Sequence, residues 1–312
     1  MILVTGANGF MGTRLCEVLR ERHYPFKMAV RGTYSQAVSI GDIDSHTNWE
    51  VALNQVTTVV HIAARVHVMN DKSTDPLAEF RKVNVDGTLN LARQAASAGV
   101  RRFIFISSIK VNGEKTTINH PFCADDTPDP QDAYGISKLE AEQGLRLLSE
   151  KTGMEIVIIR PPLVYGSGVK ANFLSMMRWL SKGVPLPLGG IKNKRSLVSL
   201  DNLVDLTLLC CHHPAAANQI FLVSDGEDLS TSDLLRRMGQ ALYSPARLIP
   251  VPAIFLRFAA TLLGKGDVAQ RLCESLQVDI TKTQQLLNWN PPVSVDEGLF
   301  KTAQSFHNEK II

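Results

Sequence analysis

Cysteine is scarce in this chain and carries no pattern. The five cysteines, Cys16, Cys123, Cys210, Cys211 and Cys273, have no CxxC spacing, which argues against a disulfide framework and a zinc ribbon and fits reduced thiols in a cytoplasmic protein. Charge of one sign is also lacking. Lys and Arg number 33 against 30 Asp and Glu, a formal charge of +3, too little for a nucleic-acid footprint or a membrane-steering field. Long apolar runs are missing too. The longest, Val251 to Gly264, is interrupted by Pro252 and Arg257. A bilayer span needs about 20 apolar residues, so no integral membrane segment is expected. An amphipathic helix packed on the body is favoured for this run over interfacial membrane contact. The opening Met1-Ile2-Leu3-Val4-Thr5-Gly6 shows no basic region and no cleavage site, so no export signal is expected. His212-His213 has no third ligand nearby in the sequence and reads as a helix-end pair; no metal site is expected.

What is present is core. Of 312 residues, 45% are hydrophobic and 20% charged, enough for two domains or one large α/β unit with an attachment. Short apolar runs at Ile2–Thr5, Lys27–Val30, Val38–Asp42, Thr58–Ala63, Phe103–Ser107 and Glu155–Arg160 read as parallel strands buried on both faces. Helices with readable ends lie between them. Asp75 is placed to cap a helix starting at Pro76 and closing at Gly99, and a second runs from near Ala133 to Gly153. The alternation predicts an α/β fold, a Rossmann-type doubly wound parallel sheet. After Tyr165 the pattern degrades, with one further strand at Gln219–Val223 and helices near Thr231–Leu242, Ala253–Leu263 and before Asn288-Trp289. The expected division is a dinucleotide-binding domain over 1–165 plus about 199–224. A smaller interleaved lobe over 166–198 and 225–312 then faces it across a cleft.

Gly6-Ala7-Asn8-Gly9-Phe10-Met11-Gly12 follows the first strand and opens a helix. Glycines there let backbone approach a pyrophosphate, and the helix start offers N–H groups and a positive dipole end. Where an NAD-preferring fold usually places an acid, the second strand ends in Arg31, suited to pairing with a 2′-phosphate. NADP is therefore favoured over NAD, with dual use open, and Asp42-Ile43 is placed to contact adenine.

Tyr134 and Lys138 stand four apart, on one helix face. A neighbouring ammonium favours the phenolate, so Lys138 is expected to lower the phenol's pKa. Ser107-Ser108 ends the fifth strand, at the carboxyl edge where open α/β sheets bind ligands. A hydroxyl there polarises a carbonyl oxygen while the tyrosine gives or takes a proton. His61 reads as a satisfied sheet histidine.

With these motifs the chain resembles the extended short-chain dehydrogenase/reductase family, in its nucleotide-sugar epimerase/dehydratase branch. Further matching pieces are Thr58–Ala64, Val83–Thr88, Phe103–Gly113, Arg160-Pro161-Pro162 and the closing Asp279 to Pro291 signature with Lys282, Leu287 and Trp289. The resemblance implies that Tyr134 is the acid/base, Lys138 holds the nicotinamide ribose and Ser108 is the active hydroxyl. By the same resemblance Ala63, Ala64, Asn84 and Pro162 line the cofactor, while Asn172, Arg195 and Arg271 grip the nucleoside diphosphate. Lys110, beside the active serine, is a candidate contact to sugar or phosphate.

Dehydratases of the family follow that serine with Asp-Glu; here Ile109-Lys110 follow, which argues against elimination. The wording around SSIKVNGE and RSLV resembles bacterial O-antigen reductases. Reduction of a UDP-4-keto-6-deoxy-N-acetylhexosamine is thus the first expectation. A UDP-sugar 4-epimerase with tightly held NAD is the alternative, and a non-catalytic NADP(H)-sensing protein a third. Relatives commonly form homodimers through helices matching Pro76–Gly99 and Ala133–Gly153, so a homodimer is expected.

Overall fold

The computed structural model describes residues 1–66, 75–262 and 266–309. Seven parallel strands form its centre: β1 (Ile2–Thr5), β2 (Phe26–Val30), β3 (Ala37–Ser39), β4 (Thr58–His61), β5 (Arg102–Ile106), β6 (Glu155–Arg160) and β9 (Ile220–Leu222). Their order across the sheet is β3-β2-β1-β4-β5-β6-β9. The first connection runs one way from β1 and the later ones the other, which opens a crevice at the carboxyl ends of β1 and β4. These strands are nearly all apolar because both faces are covered; Leu3, Val4, Val59, Val60, Phe103 and Ile104 are fully buried. The third strand is shorter than expected. After the Ile40 N–H bonds Val30 O at 2.9 Å, Gly41 turns the chain at φ +68°.

Helix α1 (Phe10–Glu21) follows β1. The short α2 (Glu50–Leu53) lies before β4. Asp75 caps α3 (Pro76–Arg81) by accepting from Ala78 N at 3.0 Å. The run into α4 (Thr88–Ser97) is interrupted by a π-turn over Lys82–Gly87, a widening that recurs at functional sites. It holds Asn84. A Cβ on Gly87 would stand 2.5 Å from Ile43 Cγ2, so this turn lies hard against the loop after β3. Helix α5 (Ala133–Thr152) begins at the Asp132 cap, which accepts from Gly135 N at 2.7 Å, and ends at Gly153 with φ +74°.

A second core sits to one side, built on a three-stranded sheet of β7 (Leu163–Tyr165), β8 (Arg195–Ser199) and β10 (Asp228–Leu229). Helices α6 (Ala171–Ser181), α8 (Thr231–Ala241) and α12 (Val295–Glu309) bury Phe173, Met177, Leu235, Met238, Leu299 and Phe306 against it. Neither α6 nor α12 was anticipated. Helix α7 (Leu200–His212) returns to the main sheet, and α9 (Ala253–Leu262) and α10 (Gly266–Cys273) form a peripheral pair. The closing signature carries α11 (Thr281–Leu287). It pins that helix to the first core: Thr283 Oγ1 donates to Leu222 O at 2.7 Å and Trp289 Nε1 to Asp205 Oδ2 at 3.0 Å. Among the described residues, no helix is long and apolar enough to cross a membrane and no acid, histidine or cysteine cluster could hold a metal.

Candidate active site

The glycine loop is a cradle of bare backbone. Gly9 N donates to Gly6 O at 2.9 Å, closing the turn. A Cβ on Gly12 would lie 2.1 Å from Gly6 O, and one on Gly6, at φ +65°, would lie 2.9 Å from Ala63 N. Gly9 is also the N-cap of α1 and contributes no side chain over its first turn. The leading N–H groups have no intrahelical acceptor, so the cradle fits a pyrophosphate. Asn8 and Gly9 are exposed at its mouth, Phe10 is half-buried, and Met11 and Gly12 are buried. Ala63 and Ala64 leave β4 directly opposite.

On the adenosine side Asp42, the candidate adenine contact, pairs with Arg31, Nε to Oδ1 at 3.1 Å, both side chains 80% exposed. The carboxylate offsets the cation on which a 2′-phosphate preference was argued, so Arg31 alone does not select NADP.

Tyr134, Lys138 and Glu142 succeed one another on three turns of α5. The Tyr134 ring meets Phe80 edge-on, centroids 5.9 Å apart. Burial and the charge of Asp132 raise the phenol's pKa, while a hydrogen bond with Ser108 lowers it. Lys138 does not supply the expected depression. Its Nζ lies 6.0 Å from the centre of the Tyr134 ring, donates to Ile106 O at 2.8 Å and sits 4.3 Å from the centre of the Phe105 ring. Desolvation pulls its own pKa down to about 7, partly opposed by Glu142. An amine so poorly solvated carries less charge at neutrality than an exposed lysine, which weakens its hold on a phenolate.

Beneath these groups lies a buried floor. Ser107 Oγ donates to Glu142 Oε1 at 2.5 Å; Arg160 donates to Glu142 through Nε at 3.0 Å and Nη2 at 2.5 Å, and through Nη1 to Asn112 Oδ1 at 2.9 Å. Ser107 is therefore committed to the floor, and Ser108 is the hydroxyl beside Tyr134. The spacing Tyr134, Lys138, Glu142 was the available signal for this missed carboxylate. Asn84 acts as a staple, accepting from Arg65 N at 2.8 Å and donating to Arg65 O and Ser137 Oγ at 3.0 Å each. It thus joins the loop after β4 to α5. Pro162, after β6, is buried beside this assembly.

The other candidate contacts have their own partners and placements. Lys110 is paired with Asp132 and with Glu114, the latter at 3.0 Å. Two carboxylates hold the ammonium at the start of α5. Asn172 is exposed on the first turn of α6, and Arg195 Nη1 donates to Glu274 O at 3.3 Å. Arg271 falls on α10 with its side chain outside the described residues. His61 bonds Thr5 Oγ1 at 2.7 Å and Thr88 Oγ1 at 2.9 Å, and burial drops its pKa to about 3. It stays neutral and belongs to the sheet.

A glycine cradle at the head of a 3-2-1-4-5-6 sheet, with Ser, Tyr and Lys at its carboxyl edge, defines the class: a nicotinamide-dinucleotide enzyme of the short-chain dehydrogenase/reductase type. The chain belongs to the NAD dependent epimerase/dehydratase family, whose profile matches residues 2–224. It is 51% identical over 311 residues to a UDP-glucose 4-epimerase of Vibrio cholerae, covering 98% of this chain and 95% of that one. At 27% identity, covering 97% and 94%, it matches an N-acetyl-α-D-glucosaminyl-diphospho-ditrans,octacis-undecaprenol 4-epimerase of Escherichia coli O157:H7. Among solved structures it resembles a Thermotoga maritima UDP-glucose 4-epimerase with UDP-glucose at TM-score 0.78 and 22% identity, covering 99% of each chain; at that identity the likeness speaks for the fold.

Proposed function

We propose that this protein is a UDP-sugar 4-epimerase that retains its NAD through the catalytic cycle. The carrying observation is the 51% identity, over nearly the full length of both chains, to a UDP-glucose 4-epimerase. The expected 4-keto-sugar reductase gives way to its alternative on this ground. The Asp42 carboxylate beside Arg31 weakens the argument for an exchangeable NADPH. Elimination of water is disfavoured as well. Ile109 is buried and Lys110 is bound by two acids, so the stretch after Ser108 offers no acid–base pair.

Residues of the cradle, Gly6 to Gly12, hold the pyrophosphate, and Lys138 and Asn84 order the cleft floor near the ribose. Bound NAD would supply a hydride acceptor at sugar C4, returning the hydride after the 4-keto sugar has turned its other face, and its oxidised ring would add a positive charge that favours the Tyr134 phenolate. Tyr134 takes the proton of the 4-hydroxyl and later gives it back to the same oxygen. Ser108 hydrogen-bonds that oxygen and the phenol, aligning the two. Because the proton and the hydride both return, no net oxidation occurs. The test is incubation with UDP-glucose, UDP-N-acetylglucosamine and UDP-4-keto-6-deoxy-N-acetylglucosamine while following nicotinamide absorbance. Interconversion of C4 epimers with no net absorbance change is the expected result. Stoichiometric NADPH consumption on the keto sugar, without epimer interconversion, overturns it.

A further inference from the structure

We propose that the second lobe docks on an anionic lipid surface through α9 and the aromatic rim beside it. Four large apolar side chains of α9 stand in water: Ile254 is 72% exposed, Phe255 63%, Phe258 66% and Leu262 72%. At 100° per residue they share about 100° of arc, the stripe a globular helix ordinarily turns to its core. Here the stripe faces outward, with Arg257 exposed at its edge.

The exposure continues beyond the helix. Ile249, Trp179, Val184 and Tyr243 are also largely exposed. Hydrogen bonds hold them in one rim: Leu186 N donates to Arg247 O at 2.8 Å, Ile249 N to Leu186 O at 2.9 Å, Val184 N to Trp179 O at 3.3 Å, and Ser244 Oγ to Leu180 O at 2.8 Å. Tryptophan and tyrosine beside aliphatic and phenylalanine side chains is the composition of a membrane–water boundary.

Charge names the partner. The two stretches from which this rim is drawn, 156–200 and 234–266, also carry strands of both sheets; together they contain 12 Lys and Arg and no Asp or Glu, whereas the rest of the chain has 21 against 30. Some of these cations are engaged: Arg160 with Glu142, Arg236 with Asp233, Arg237 with Glu227 and Asp296. Arg178, Lys182, Arg247 and Arg257 are exposed and, among the described residues, none pairs with a carboxylate. A second copy is a poor occupant, since a two-fold interface would set this basic rim against itself. An anionic leaflet answers both features, taking the apolar stripe at its acyl boundary and the cations at its headgroups.

The test is vesicle flotation of the full chain, with phosphatidylcholine alone or mixed with phosphatidylglycerol, at low and high salt. The wild type is expected to float with the anionic vesicles, to lose affinity with salt, and to float poorly with neutral ones. Phe255→Ser with Phe258→Ser should weaken partitioning at least about tenfold. Arg178→Gln, Lys182→Gln and Arg247→Gln together should erase the preference for phosphatidylglycerol. Turnover on a soluble UDP-sugar should stay unchanged in both, which separates this proposal from the enzymatic one. Wild-type fluorescence gives a readout without substitution: Trp49 and Trp289 are buried, so a blue shift on adding anionic vesicles reports Trp179 entering the interface. Failure of the wild type to float at low salt, or flotation that ignores both lipid charge and the Phe substitutions, overturns the proposal. So does gel filtration in which the Phe substitutions convert a dimer to a monomer, since a second copy then covers the face.

Discussion

Two regions of the molecule treat unfavourable groups in opposite ways. Under the site, polar side chains are taken out of water together with their partners: Ser107, Glu142, Arg160 and Asn112 close a network, and His61 is bonded at both ring nitrogens. At the peripheral α9, large apolar side chains are left in water beside exposed cations. Buried polar groups need their partners in fixed geometry, so the first arrangement makes a rigid reaction floor. Exposed apolar groups gain only when something covers them, so the second makes a surface.

The contrast is broken most severely at the phenol. Tyr134→Phe should lower turnover by about 10²–10⁴-fold while dinucleotide affinity, measured by fluorescence titration, is retained; near-wild-type turnover removes Tyr134 from the chemistry. Next comes the floor. Glu142→Gln leaves the buried Arg160 charge uncompensated and should destabilise the fold by about 3–5 kcal/mol in urea unfolding. A loss under about 1 kcal/mol would mean that the floor behaves as a surface pair does.

A smaller effect sharpens the comparison through pH. The folded pKa of His61, about 3, lies below its ordinary 6.5, so the unfolded chain binds the extra proton between those values. The contribution is full above pH 6.5 and is lost as pH falls toward 3, by up to about 1.4 kcal/mol per unit. Denaturant midpoints across that window should show the slope, and His61→Gln should flatten it. The smallest effect belongs to Lys110 and its two acids at the start of α5. Lys110→Ala should cost under about 1 kcal/mol and leave KM for the UDP-sugar unchanged; a raised KM would return Lys110 to the substrate.

Much of the first lobe was legible because its signals are local. The glycines at 6, 9 and 12 follow a strand and start a helix, and Asp75 and Asp132 cap helices within three residues of their donors. Tyr134 and Lys138 share a face by helical period alone. Contacts that join distant segments were not legible. Glu142 reaches Arg160 across 18 positions and Lys110 reaches Asp132 across 22, and nothing in local spacing says which acid a given cation will meet. The outcome for the phenol turned on this too, since Lys138 sits where desolvation reduces the charge it was expected to lend. The whole-chain charge of +3 likewise hid a basic stretch and an acidic remainder.

By itself the sequence determined the parallel sheet, the pyrophosphate cradle and the serine, tyrosine and lysine of the cleft, because periodicity, glycine stereochemistry and helix capping act over a few residues. Tertiary structure alone decided which ionisable groups are charged, which hydroxyl is left for chemistry, and which apolar stripe faces solvent. Those depend on desolvation and on partners from elsewhere in the chain, and exist only once the lobes have packed.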